Sequence, residues 1–146
     1  MHRDLKPENV ILQQVDGQVR LKVLDFGLAK QIDEAAPDGV SQTGEVLGTM
    51  GYMSPEQLAG GAVDQRADVF AVGIMVWEAL CGVRPFQGST TAGLAIAMHD
   101  TLPQPPVQIP KPVREVLTRA IAYNPGGRPP TAVAIRQELV PALRSS

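Results

Sequence analysis

The chain has 146 residues, enough for one domain that buries a core without disulfides. With 14 Gly and 13 Pro it is rich in turns but short of disordered composition, and its net charge of −2 disfavours a general nucleic-acid-binding role. A single cysteine excludes a disulfide scaffold and argues against a Cys-based zinc site, no apolar run is long enough to span a bilayer, and the charged first residues are not a signal peptide, which makes a cytoplasmic location the default expectation.

Residues 2–9 read H-R-D-L-K-P-E-N, without helical or strand period, and predict a loop. Val10-Ile11-Leu12 and the alternating run Val19 to Val23 flank Asp16-Gly17, a strong signal for a two-stranded antiparallel ribbon. It leads directly into Asp25-Phe26-Gly27. Residues 31–53 carry few large apolar groups and no period; a stretch of that kind inside a compact domain is usually functional or mobile. Pro55 to Leu58 predicts a short helix with Ser54 as N-cap, Pro55 at its first position and Gly60-Gly61 beyond its end.

From Asp68 to Cys81 the chain is apolar on all sides except Asp68 and Glu78, which predicts a central buried helix capped by Asp68 and stopped by Gly82. Trp77 is then a core residue and Cys81 a buried, inert thiol. Residues 91–99 predict a short helix with His99 exposed near its end, and Pro103, Pro105, Pro106 and Pro110 an extended connector. Val113, Val116, Leu117, Ala120 and Ile121 fall at helical spacing on one face. Thr131 caps a last helix that Pro141 is expected to kink or end. The fold expected is mainly α, within the α+β family, with a small β-ribbon at its N-terminal edge.

Taken as chemistry, Asp4, Lys6, Asn9 and Asp25 converge on one end of the ribbon. Carboxylate and amide oxygens suit a hard ion such as Mg²⁺, which keeps few protein ligands and shares substrate phosphates. A lysine supplies a cation for a transferring phosphoryl group, and a second carboxylate can accept a hydroxyl proton. This is an inventory for phosphoryl transfer.

The order H-R-D-L-K-P-E-N, then D-F-G, then G-T-M-G-Y-M-S-P-E closely resembles the catalytic segments of eukaryotic-type Ser/Thr protein kinases, with an activation segment like that of bacterial members. A lone D-F-G is a weak signal; three ordered motifs are a strong one. The resemblance implies ATP and Mg²⁺ (or Mn²⁺) as cofactors and a protein Ser/Thr side chain as substrate. It implies Asp4 as catalytic base, Lys6 as the partner of the γ-phosphate, and Asn9 and Asp25 as metal ligands. Ile11 would lie under the adenine and Thr49 would help seat the substrate hydroxyl. His2 and Phe26 would stack, His2 packing rather than exchanging protons. Glu56 would pair with Arg128, and Asp68 would tie the catalytic loop to the buried helix. Arg3, helped by Lys30, would read a phosphate on the activation segment, with Ser41 and Thr43 as candidate acceptors. Glu45 is weighed as a partial stand-in for that phosphate, against a solvated glutamate. Ser54 replaces the alanine usual in the third motif, a mild change.

The resemblance also implies parts that this sequence does not contain: a Gly-rich loop, a strand lysine and its helix glutamate, the hinge, and the helices before the catalytic loop. Residues 1–146 are thus expected to form a partial kinase domain, the C-terminal lobe with the N-terminal lobe absent, from a natural chain that is longer and in which a membrane anchor is open. An uncovered apolar face on the 68–81 helix would favour self-association or the missing lobe as partner. The isolated chain is expected to bind Mg-ATP weakly and to transfer no appreciable phosphate. The alternative is a non-catalytic kinase-like binding or decoy module; on either reading no nucleic-acid partner and no membrane segment within these residues are expected.

Overall fold

The computed structural model describes residues 1–24 and 48–145. Among the described residues the strands β1 (Val10–Val15) and β2 (Gln18–Val23) precede the helices α1 (Pro55–Leu58), α2 (Arg66–Cys81), α3 (Thr91–Asp100), α4 (Lys111–Ala120) and α5 (Ala132–Arg144). The strands pair antiparallel, with Val10 opposite Val23 and Leu12 opposite Leu21. Asp16 and Gly17 both have positive φ, 52° and 75°, the backbone of a tight turn whose twist matches the ribbon. Leu12, Val19 and Leu21 share one face of this ribbon and are exposed.

The core lies between α2, α4 and α5. Phe70, Ile74 and Trp77 of α2 meet Val113, Val116, Leu117 and Ala120 of α4, and Ile135, Leu139 and Ala142 of α5 close the cluster. Each such fully buried side chain contributes roughly 1.5–3 kcal/mol. The helices approach closely at Gly73, where an added Cβ would lie 2.9 Å from both Ala120 Cβ and Ile121 Cγ2. Phe70 also stacks on Phe86, with ring centroids 6.2 Å apart.

Several elements form where the sequence places them. Ser54 precedes α1, and Gln57 folds back to accept from its backbone N at 3.1 Å. Thr131 Oγ1 accepts from Ala134 N at 3.0 Å, and Gly82, at φ 74°, ends α2. His99 is exposed beside Asp100 and Trp77 is buried.

Four expectations are corrected or narrowed. Asp68 does not cap α2. The helix starts earlier, at Arg66, whose N donates to Asp64 Oδ1 at 2.8 Å. Of the two outcomes expected at Pro141, a kink or an end, the end does not occur: α5 runs on to Arg144, with Ala142 buried and Ser145 N donating to Pro141 O. α2 is not buried all round: Val72, Met75 and Val76 are half-buried and Leu80 is exposed. Cys81 is half-buried, and burial raises its thiol pKa above the ordinary value. Among the described residues no helix is long and apolar enough to cross a membrane.

Candidate active site

The 2–9 loop owes its shape to a carboxylate 65 residues away. Asp68 accepts from two successive backbone groups, His2 N at Oδ2 (2.7 Å) and Arg3 N at Oδ1 (2.8 Å). Arg3 sits at φ 69°, a left-handed backbone that costs a non-glycine residue about 1 kcal/mol or more. The two bonds to Asp68 and one from Gln57 Nε2 to Arg3 O (2.8 Å) hold it there. Charge-assisted bonds of this kind are each worth roughly 1.5–3 kcal/mol, enough to cover the strain.

His2 is spent on architecture. Its Nε2 faces Leu24 O at 2.8 Å, and its Nδ1 accepts from Asp4 N at 3.3 Å. An acceptor role at Nδ1 goes with the tautomer that carries its proton on Nε2, facing the carbonyl. Leu24 N in turn donates to Asn9 O at 2.8 Å, which prolongs the ribbon to the loop's 3-10 turn, Pro7–Asn9.

Asp4, Lys6, Asn9 and Thr49 come together. Asn9 is buried, and its Nδ2 donates to Asp4 O (2.7 Å) and to Asp4 Oδ2 (3.3 Å). With the amide nitrogen committed to Asp4, the remaining polar atom of Asn9 is Oδ1, a hard oxygen acceptor. Lys6 Nζ donates to Thr49 Oγ1 at 3.4 Å, the long end of a hydrogen bond. The seam between the loop and residues 49–53 is nearly closed: a cavity of ≈ 10 Å³, room for about one water, borders Asp4, Thr49, Tyr52 and Asp68. Ile11 lies just beyond on β1, partly exposed, and the Arg3 side chain is exposed. Asp25, Phe26, Lys30, Ser41, Thr43 and Glu45 lie outside the described residues.

Glu56 and Arg128 form a separate, buried cluster. Arg128 Nη1 and Nη2 reach Glu56 Oε1 (2.7 Å) and Oε2 (2.9 Å) side by side. Arg128 also donates to the carbonyls of Ala122, Tyr123 and Arg66, and its guanidinium lies 4.9 Å from the Phe70 ring centroid. Burial opposes ionisation of Glu56, but the Arg128 hydrogen bonds and charge outweigh it and hold the carboxyl below its ordinary value.

A second polar network escapes the motif reading. Tyr52 OH donates to Glu78 Oε2 at 2.5 Å, and Arg84 lies over the Tyr52 ring, 5.5 Å from its centroid. Burial, then the Glu78 carboxylate, push the Tyr52 hydroxyl well above its ordinary pKa, so it stays a donor. The available signal was Glu78, a lone carboxylate in an otherwise apolar stretch of helix. Gln57, which anchors Arg3, gave no signal beyond its place after Ser54.

The protein kinase domain family matches residues 1–140. The chain belongs to that family. Among curated kinases it is 37% identical over 148 residues to the serine/threonine-protein kinase pkn3 of Myxococcus xanthus, covering 95% of this chain and 27% of that protein. It is 37% identical to PknB of Mycobacterium leprae over 96% of the chain and 22% of that protein, and 38% identical to PknL of Mycobacterium tuberculosis over 95% and 34%. The chain thus spans about a fifth to a third of these kinases' lengths.

Among the described residues no three His, Cys, Asp or Glu side chains cluster as a protein-only metal cage. An amide oxygen beside a carboxylate instead fits an ion that is held by few protein oxygens and shared with phosphates.

Proposed function

We propose that this chain is the C-terminal lobe of a protein Ser/Thr kinase domain, and that in the complete domain it carries the residues that transfer a phosphoryl group from ATP to a Ser or Thr hydroxyl. The observation that carries this is the Asp4–Asn9 pairing within the 2–9 loop and the Lys6–Thr49 contact from that loop to residues 49–53, with the loop fixed at its base by Asp68. Asp4 takes the role of base: its carboxylate, steadied by Asn9, accepts the proton of the substrate hydroxyl. Lys6 faces the transferring group and offsets its charge. Asn9 and Asp25 are the residues that would hold Mg²⁺, which would supply positive charge against the phosphate oxygens. Thr49 orients the substrate hydroxyl beside Lys6, and Ile11 supports the nucleotide base. Substrates are proteins bearing Ser or Thr.

The isolated chain binds Mg-ATP weakly and does not turn over, because it supplies neither the Gly-rich loop nor the strand lysine that grip the phosphates. The test is two-sided. In a complete kinase domain carrying this sequence, Asp4→Ala is expected to abolish phosphorylation of a generic Ser/Thr substrate, and undiminished transfer would overturn the assignment. Phosphorylation by the 146-residue chain alone, lost in Asp4→Ala, would overturn its inactivity.

A further inference from the structure

Arg84 lies three residues beyond α2, outside the motifs that mark the site, yet it makes four contacts around one short segment. Its Nη1 donates to Gly48 O at 2.8 Å, and its guanidinium lies 5.5 Å from the Tyr52 ring centroid. Its Nε is 3.9 Å from Glu78 Oε1, and that same carboxylate holds the Tyr52 hydroxyl. A Cβ built on Gly51 would lie 1.7 Å from Nη1 and 2.7 Å from Cζ, so only glycine at 51 admits the guanidinium where it lies.

The positions touched are 48, 51 and 52, on both sides of Thr49. The segment is closed on itself by Tyr52 N to Thr49 O (3.3 Å) and Met53 N to Met50 O (3.1 Å), so it moves as a unit. We propose that Arg84 is a positioning residue that clamps residues 48–52 to the end of α2 and so sets Thr49 against Lys6. The Lys6–Thr49 bond is the sensitive reporter, because at 3.4 Å a shift of about half an ångström ends it. The ion pair with Glu78, partly buried and 3.9 Å long, is too long to supply the hold by itself. The carbonyl bond, the ring contact and the space above Gly51 supply it. The inference takes Lys6 and Thr49 as part of the reactive centre and so rests on the function proposed above.

The test uses the 146-residue chain and needs no phosphoryl transfer. Amide exchange at Tyr52 and Met53 is measured with the NMR signals of the Lys6 ε-methylene and the Thr49 methyl, in Arg84→Ala, Arg84→Lys, Gly51→Ala and the Ala/Ala double variant. Loss of a hydrogen bond from a charged group and of a cation–ring contact predicts exchange about tenfold faster in Arg84→Ala, with both side-chain signals shifted and α4 and α5 amides unchanged. Gly51→Ala displaces the guanidinium and does the same. The double variant is no worse than Arg84→Ala alone, because both changes remove one contact. Lysine keeps the charge beside Glu78 but cannot both reach Gly48 O and lie over the ring, so it behaves like alanine. Should Arg84→Ala fail to fold, Arg84→Gln is read in its place. Unchanged Lys6 and Thr49 signals, effects of positions 51 and 84 that simply add, or wild-type behaviour of Arg84→Lys would overturn the clamp. Failure of the kinase function itself appears elsewhere, as transfer that survives Asp4→Ala, and leaves these readouts where they are.

Discussion

Arg128 and Lys6 are both cations facing oxygen acceptors from another segment, and the fold treats them in opposite ways. Arg128 is buried, meets both oxygens of Glu56 below 3 Å, and donates to three carbonyls besides. Lys6 is half-buried and has a 3.4 Å contact to a hydroxyl. Saturation at Arg128 leaves nothing to offer a ligand and much to lose on mutation. Among the described residues the long contact to Thr49 is the one hydrogen bond of the Lys6 ammonium, so little stability is at stake there. One cation is locked by five hydrogen bonds into the fold; the other is held by a long bond at its edge.

That contrast is testable from its strong end to its weak one. Arg128→Met leaves Glu56 buried without its partner, and denaturant unfolding is expected to show a loss of about 3–5 kcal/mol. A loss below about 1 kcal/mol would remove the distinction. Asp68→Ala deprives two backbone N–H groups of their acceptor. Unfolding is expected to fall by about 2–3 kcal/mol, with hydrogen exchange accelerated first at residues 2–4. Acid sharpens the buried pair further. The folded Glu56 carboxyl titrates below its ordinary value of 4.5, so its contribution is complete above that pH and disappears as pH falls through the lower folded value. Urea midpoints should therefore drop into the acid range, and Glu56→Gln should flatten that drop. Lys6→Met marks the weak end: stability is expected to change by less than about 1 kcal/mol, while transfer by a complete kinase domain falls by a factor of roughly 10²–10³.

Local chemistry made much of this fold readable. Asp16-Gly17 between alternating runs sets the ribbon, Thr131 starts α5, and the spacing from Val113 to Ala120 sets the face of α4. Each depends on neighbours within a few residues. The loop motif likewise named Asp4, Lys6 and Asn9, which the fold brings together with Thr49. Long-range geometry was harder to read. Local pattern offered Asp68 as a helix cap, whereas its oxygens accept from His2 and Arg3 at the other end of the chain, a tie that the motif resemblance implied and the local pattern did not. Gln57 and Arg84 read as ordinary polar residues, because their partners, Arg3 O and Gly48 O, are backbone atoms that carry no sequence signature. At Pro141 the local rule left a kink or an end open, and the helix runs on past it with Ala142 buried.

The tether from Asp68 to His2 and Arg3 also bears on the order of assembly. Its partners are 66 and 65 residues apart, so the loop cannot acquire its shape from its own sequence. Helices α2, α4 and α5 can dock on one another first; the left-handed turn at Arg3 has support only once the first turn of α2 is in place. The shape of the 2–9 loop is thus expected to be the last thing this chain gains and the first it gives up. A partly folded molecule, however helical, lacks the tether that holds the segment carrying Asp4 and Lys6 in place, so the order of that loop reports on completion of the helical fold.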